Sequence, residues 1–232
     1  MKKILTLVAA VAGFSAVSYG QGTVLFSTTA SAASKTSVNS SVGGTTFALT
    51  PTTSTYYYAL FASATANTVL GSSAAIVGGT GASLASGASY VFNDANWTFI
   101  SYGLSSATGA GKFASSGTVN SDGSTTISFA TAASSINVVA VGWSSNIGST
   151  VASLEAFFAG TSGQTSGFTG EVAVNTISAG SVPGSGNATA NNVFSGITGL
   201  KLGEVTPTPE PTSIALGVMG GLSLLALRRK KA

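Results

Sequence analysis

Chemistry in a protein needs side chains that move protons, attack an electrophile or hold a metal, and this chain offers few of them. Between residues 21 and 208 there are five carboxylates, Asp94, Asp122, Glu155, Glu171 and Glu204, and the whole chain has neither histidine nor cysteine. A glycosidase would need two carboxyls flanking one cleft. Folding could bring Asp94 to Glu171, or Asp122 to Glu155, and sequence spacing favours neither pairing. Ser162 and Ser166 lie in a Gly/Ser turn but not in a G-x-S-x-G elbow, and no histidine is present to act as their base. Gly78-Gly79-Thr80-Gly81 lacks the Lys-Ser/Thr that completes a phosphate loop. Asp122-Gly123, preceded by Asn120-Ser121, signals a tight turn, with too few neighbouring oxygens for calcium. No catalytic residue, metal site or cofactor is therefore expected.

Aromatic side chains are the remaining binding groups. Tyr56, Tyr57, Tyr58, Trp97, Tyr102 and Trp143 could stack on sugar rings, with Trp97, Trp143 and Tyr57 the candidates to test. The competing expectation, that these rings fill a core or pair across strands, carries more weight. Asn39, Asn96 and Asn187 each stand in an N-x-S/T acceptor pattern.

The elements that must position these groups are strands. Apolar runs rich in β-branched and aromatic residues fall at 23–26, 55–62, 89–92, 97–102, 125–130, 136–143 and 170–175, separated by Gly, Ser, Asn and Asp. Their length and spacing predict an all-β sandwich rather than βαβ units. Alternation sets Tyr56, Tyr58 and Leu60 on one face and Tyr57, Ala59 and Phe61 on the other. In 97–102 it opposes Trp97, Phe99 and Ser101 to Thr98, Ile100 and Tyr102. Residues 149–160 break the pattern, with a serine cap candidate, helical apolar spacing and a Gly160 stop. Residues 178–192 read as a surface loop, and 193–194 or 199–202 as a closing strand.

Charge is concentrated at the two ends. Residues 21–208 hold three lysines (Lys35, Lys112, Lys201) against five carboxylates, a net charge of −2, so the basic balance of the whole chain comes from outside this stretch. No basic patch is left to neutralise phosphates, which argues against nucleic acid as a partner. At the start, Lys2 and Lys3 precede an apolar stretch over 4–17, the pattern of a secretory signal. Cleavage fits best before Gln21, with the position after Ser18 as the alternative. Without cysteine, an exported domain would depend on its apolar core rather than on disulfides.

At the far end, Pro209-Glu210-Pro211 is followed by sixteen uncharged residues, 212–227, and then by Arg228, Arg229, Lys230 and Lys231. As a helix the run would reach about 24 Å, slightly less than a bilayer's hydrocarbon thickness, and the flanking cations can snorkel to complete the span. Cations after the run orient its end to the cytoplasm. Gly217 and Gly221 form a small-xxx-small face along it. The order of Pro-Glu-Pro, apolar run and basic block resembles the PEP-CTERM sorting signal of Gram-negative bacteria. That resemblance implies recognition by an exosortase, a membrane-embedded processing enzyme, with cleavage near Pro209, Glu210 and Pro211. A permanent membrane anchor is the other reading of the same residues. Val141-Gly142-Trp143, and the Gly163 to Phe168 stretch beyond the expected helix, are also similar to β-rich PEP-CTERM proteins of Verrucomicrobia-like bacteria.

The expected protein is thus all-β, a jelly-roll-like sandwich with one short helix. The boundaries are a signal peptide at 1–20, an exported domain at 21–203, a Pro-rich spacer at 204–211, a transmembrane sorting helix at 212–227 and a basic cytoplasmic tail at 228–232. Its expected role is structural or adhesive, at the cell surface or in the extracellular matrix, after transient residence in the inner membrane. The expected partners are the export machinery and an exosortase-type enzyme. The alternative is a secreted carbohydrate-binding module whose partner is extracellular polysaccharide.

Overall fold

The computed structural model describes residues 21–28, 35–39, 46–69, 90–183, 189–197 and 199–206. The signal peptide, the Pro-Glu-Pro segment, the apolar run and the basic block expected at the ends lie outside the described residues. So does Asn187.

In chain order the elements are β1 (Gln21–Leu25), β2 (Ser37–Asn39), β3 (Phe47–Leu49), β4 (Tyr56–Ser63), β5 (Thr98–Ser105), β6 (Phe113–Ser115) and β7 (Thr125–Thr131). There follow β8 (Ser135–Ser144), α1 (Val151–Phe158), β9 (Gly167–Glu171), β10 (Asn175–Ser178), β11 (Gly180–Ser181), β12 (Asn191–Asn192) and β13 (Lys201–Val205). Among the described residues the fold is all-β with one α-helix, as the strand pattern predicts. A large sheet runs β3-β2-β13-β9-β8-β4-β5-β6, with β10 following β9 alongside β8. In the small sheet β7 flanks β1 on one edge, and β11 and β12 take successive halves of the other. Among the described residues two pairings are parallel, β1 with β12 and β2 with β13, in contrast to the antiparallel pairing of a jelly roll.

Two-sided burial of β4 and β8 explains the layering. Tyr56, Tyr58, Leu60 and Ala62, with Ile136, Val138 and Ala140, meet Val24 and Ile127 from the small sheet, and Phe26 just beyond β1, in one apolar cluster. The alternate residues Ala59 and Phe61, with Val139, Val141 and Trp143, form a second cluster under Leu154 and Phe157 of α1. The alternation read from 55–62 therefore holds. Close approach fixes one glycine: a Cβ on Gly170 would run into the carbonyl oxygen of Lys201 in the neighbouring β13.

Helix α1 is cut at both ends by side-chain and backbone chemistry. Its cap is Thr150 rather than a serine, the Thr150 Oγ1 accepting from Ser153 N at 3.2 Å. At the other end Gly160 has φ 68°, and the amides of Gly160 and Thr161 donate to Phe157 O and Ala156 O. This paired closure is the Schellman arrangement, and it needs the left-handed backbone that glycine supplies.

Several expectations are corrected. The described part of 89–92 is a 3-10 turn over Val91–Asn93, because Asn93 Oδ1 takes the Tyr90 amide at 2.7 Å and draws the backbone away from a ladder. The strand expected at 170–175 divides into β9 and β10, both on the same edge of β8. Part of the loop expected at 178–192 is ordered into the small sheet as β11, with Ala179 buried. The closing strand is β13, and it continues through Val205. Glu204 pairs with Phe168, so β13 runs two residues into the stretch read as spacer.

Residues 97–102 also depart from simple alternation. Leu60 opposes Ser101 while Phe61 opposes Phe99, so Ile100 is the extra residue of a β-bulge. Beyond the bulge the faces exchange, and Tyr102 stands beside Phe99 with ring centroids 4.6 Å apart.

Candidate functional site

The tryptophans of the sugar-stacking expectation are structural. Trp143 is 0% exposed and its indole N–H donates to Gly148 O at 2.8 Å, tying β8 to the turn before α1. Trp97 is 6% exposed and donates to Thr68 O at 3.3 Å. Tyr57 is half-buried and stacks on Trp143, with centroids 6.3 Å apart. With the Trp97 and Trp143 faces covered by the second apolar cluster, this trio presents no platform to a sugar. Tyr58 is fully buried too. Its hydroxyl meets Thr36 Oγ1 at 3.1 Å, and burial above all pushes its pKa up to about 12.

Glu171 is a carboxylate in an altered environment. It lies on β9 opposite Val141, on the face that α1 covers, and is 5% exposed. Its Oε2 accepts a long 3.5 Å hydrogen bond from Val91 N. Burial drives its pKa up to about 7, and the Val91 amide only partly opposes this. Next to it Tyr90 is pushed up to about 12, chiefly by burial and then by the Glu171 charge. Tyr90, Phe92 and Phe158 stack on one another at 4.7 to 6.0 Å, joining the 3-10 turn to α1. Thr169, two residues before Glu171, has a buried Oγ1 with no hydrogen-bond partner.

Folding brings Glu171 to the same turn that carries Asp94, whose Oδ1 is engaged by the amide and side chain of Asn96. Asp122 and Glu155 are separated. The first is in the turn entering β7 of the small sheet, and the second is on α1 across the large sheet. The 120–123 turn forms as expected, with Gly123 at φ 79° and Asp122 Oδ1 accepting from Ser124 N at 2.9 Å. Among the described residues no group of three or more acidic side chains is disposed to hold a metal ion. Of the glycan-acceptor patterns, Asn39 is 2% exposed and accepts from Glu204 N, so it is closed to modification in the folded state.

A cleft of about 310 Å³ opens between β5 and the 117–126 segment, where the bulge sits. It is lined by Phe99, Tyr102, Thr118, Asn120 and Thr126 above a floor that includes Ser101 and Gly117. Phe99 is 40% exposed. Sequence reasoning missed this cleft because regular alternation grouped Phe99 with Trp97, and a one-residue bulge has no signature in the side-chain pattern. Glu171 did carry a signal, as a lone acid inside an apolar run.

Comparison of the chain with protein-family models, with curated proteins and with solved structures finds no match.

Proposed function

We propose that this chain is an exported, non-enzymatic protein of the cell surface or extracellular matrix, structural or adhesive in role. Its tail is an address read by an exosortase-type enzyme at the inner membrane. The single observation that carries this reading is the tripartite sequence of Pro209-Glu210-Pro211, the uncharged 212–227 run and the Arg228 to Lys231 block. On this reading 1–20 is a signal peptide taken by the export machinery, and 212–227 spans the membrane only until processing. On this reading the exported part is a β-sandwich.

The fold is compatible with a load-carrying role. The residues leading into the tail belong to β13, whose Lys201 and Leu202 pair with β2 and whose Gly203 to Val205 pair with β9. Force applied through residue 206 would meet a strand held along its whole length. Replacing Pro209, Glu210 and Pro211 together by alanine in the native host tests the reading. The expected outcome is a full-length species accumulating in the inner-membrane fraction with loss of the surface form. Unchanged surface delivery and unchanged mass would overturn it.

A further inference from the structure

We propose that the cleft between β5 and the 117–126 segment is a subsite for a neutral glycan, with Phe99 as the stacking platform and Asn120 as the polar anchor. This goes beyond the sorting reading and does not depend on it.

The lining contains no charged side chain, so an ionic ligand would lose hydration there without gaining a counter-charge. It is not simply apolar either. Asn120 Nδ2 donates to Ser124 Oγ at 3.0 Å and to Thr126 Oγ1 at 3.2 Å. Both amide protons are thereby spent, which orients Oδ1 as a fixed acceptor. The Thr126 hydroxyl accepts from Asn120 and keeps its own proton to donate. The Thr118 hydroxyl has no hydrogen bond among the described residues. A purely hydrocarbon ligand would bury these groups unpaired. A ligand with hydroxyls of its own can both donate to Oδ1 and accept from the threonines.

The apolar half is preorganised. Tyr102 packs on the Phe99 ring at 4.6 Å and Phe61 meets it edge-on at 5.8 Å, so its orientation is set before any ligand arrives. What remains exposed is an uncharged aromatic surface of the kind that covers the C–H face of a sugar ring. Phe99, the bulged Ile100 and the polar groups line the same cleft, and bulges are often found beside binding sites. Gly117 keeps the floor clear, since a Cβ there would come within 2.8 Å of Ser101 Oγ. At about 310 Å³ the cleft is at the small end of ligand sites, room for a ring or two of a chain that continues into solvent.

The test uses the full chain in mild detergent, titrated calorimetrically with hexaoses of glucose, mannose and xylose and with anionic hexagalacturonate. At least one neutral oligomer is expected to bind saturably, and more tightly than the galacturonate. Phe99→Ala should weaken that binding about ten-fold, and Thr118→Val should weaken it by a smaller factor. A single cooperative urea transition that begins well above zero denaturant will show that each variant is folded, Thr118 being exposed and Phe99 only partly packed on Tyr102 and Phe61. Leu104→Ala, an exposed apolar change on the same strand outside the cleft, should leave affinity unaltered. The proposal is overturned if no neutral oligomer binds, if the galacturonate binds as tightly, or if folded Phe99→Ala binds like the parent.

Discussion

Replacing Glu171 by glutamine should make the domain more stable at neutral pH and less sensitive to pH. The carboxyl titrates near 7 in the folded protein, against an ordinary value of 4.5. A folded pKa above the unfolded one means that the native state holds the proton more tightly. Stability from this group is therefore fully present below about pH 4.5, falls as pH rises from there and is lost by about pH 7. The gap between those values corresponds to about 3 kcal/mol. That is a large share of the 5–15 kcal/mol (roughly) that holds an ordinary domain together. The side chain is 5% exposed, so solvent screening takes little from this figure. Urea unfolding followed by tryptophan fluorescence is the assay, because Trp97 and Trp143 are buried in the same layer as Glu171. The parent should lose stability from pH 5 to 7.5 relative to Glu171→Gln, and the difference between the two proteins isolates this carboxyl from the others. If the two curves run parallel across that window, the reasoning about Glu171 is wrong.

Two further outcomes concern the same layer. Trp143→Ala removes a fully buried indole and strands the Gly148 carbonyl, and should cost about 3–5 kcal/mol in urea unfolding. Thr169→Val removes the buried hydroxyl that lacks a partner, and should raise stability by about 1 kcal/mol in the same assay.

How far the fold was legible follows from what each signal reports. The apolar runs at 55–62 and 136–143 identified β4 and β8, because strands buried on both faces read as nearly continuous apolar stretches, and the two-residue period of a strand gave the faces of β4. Glycine at 160 marked the end of α1 because that backbone angle excludes most other residues. Where local hydrogen bonds compete with the ladder, the apolar pattern misled: Asn93 turned an expected strand into a 3-10 turn. Burial of the tryptophans was legible as the weightier expectation. The cleft was not, because it depends on a bulge and on the docking of 117–126 against β5, both set by tertiary packing. The number of sheets and the parallel β2–β13 and β1–β12 contacts are non-local, and no sequence window reports them.

The central claim concerns the fate of residues 207–232, and the most direct measurement is the mass of the C-terminal peptide from protein recovered at the surface of its native host. Processing predicts a chain that ends near Pro209-Glu210-Pro211 and lacks the apolar run and the four cations. A C-terminal peptide that still reaches Ala232 would contradict it and make the tail a permanent membrane anchor.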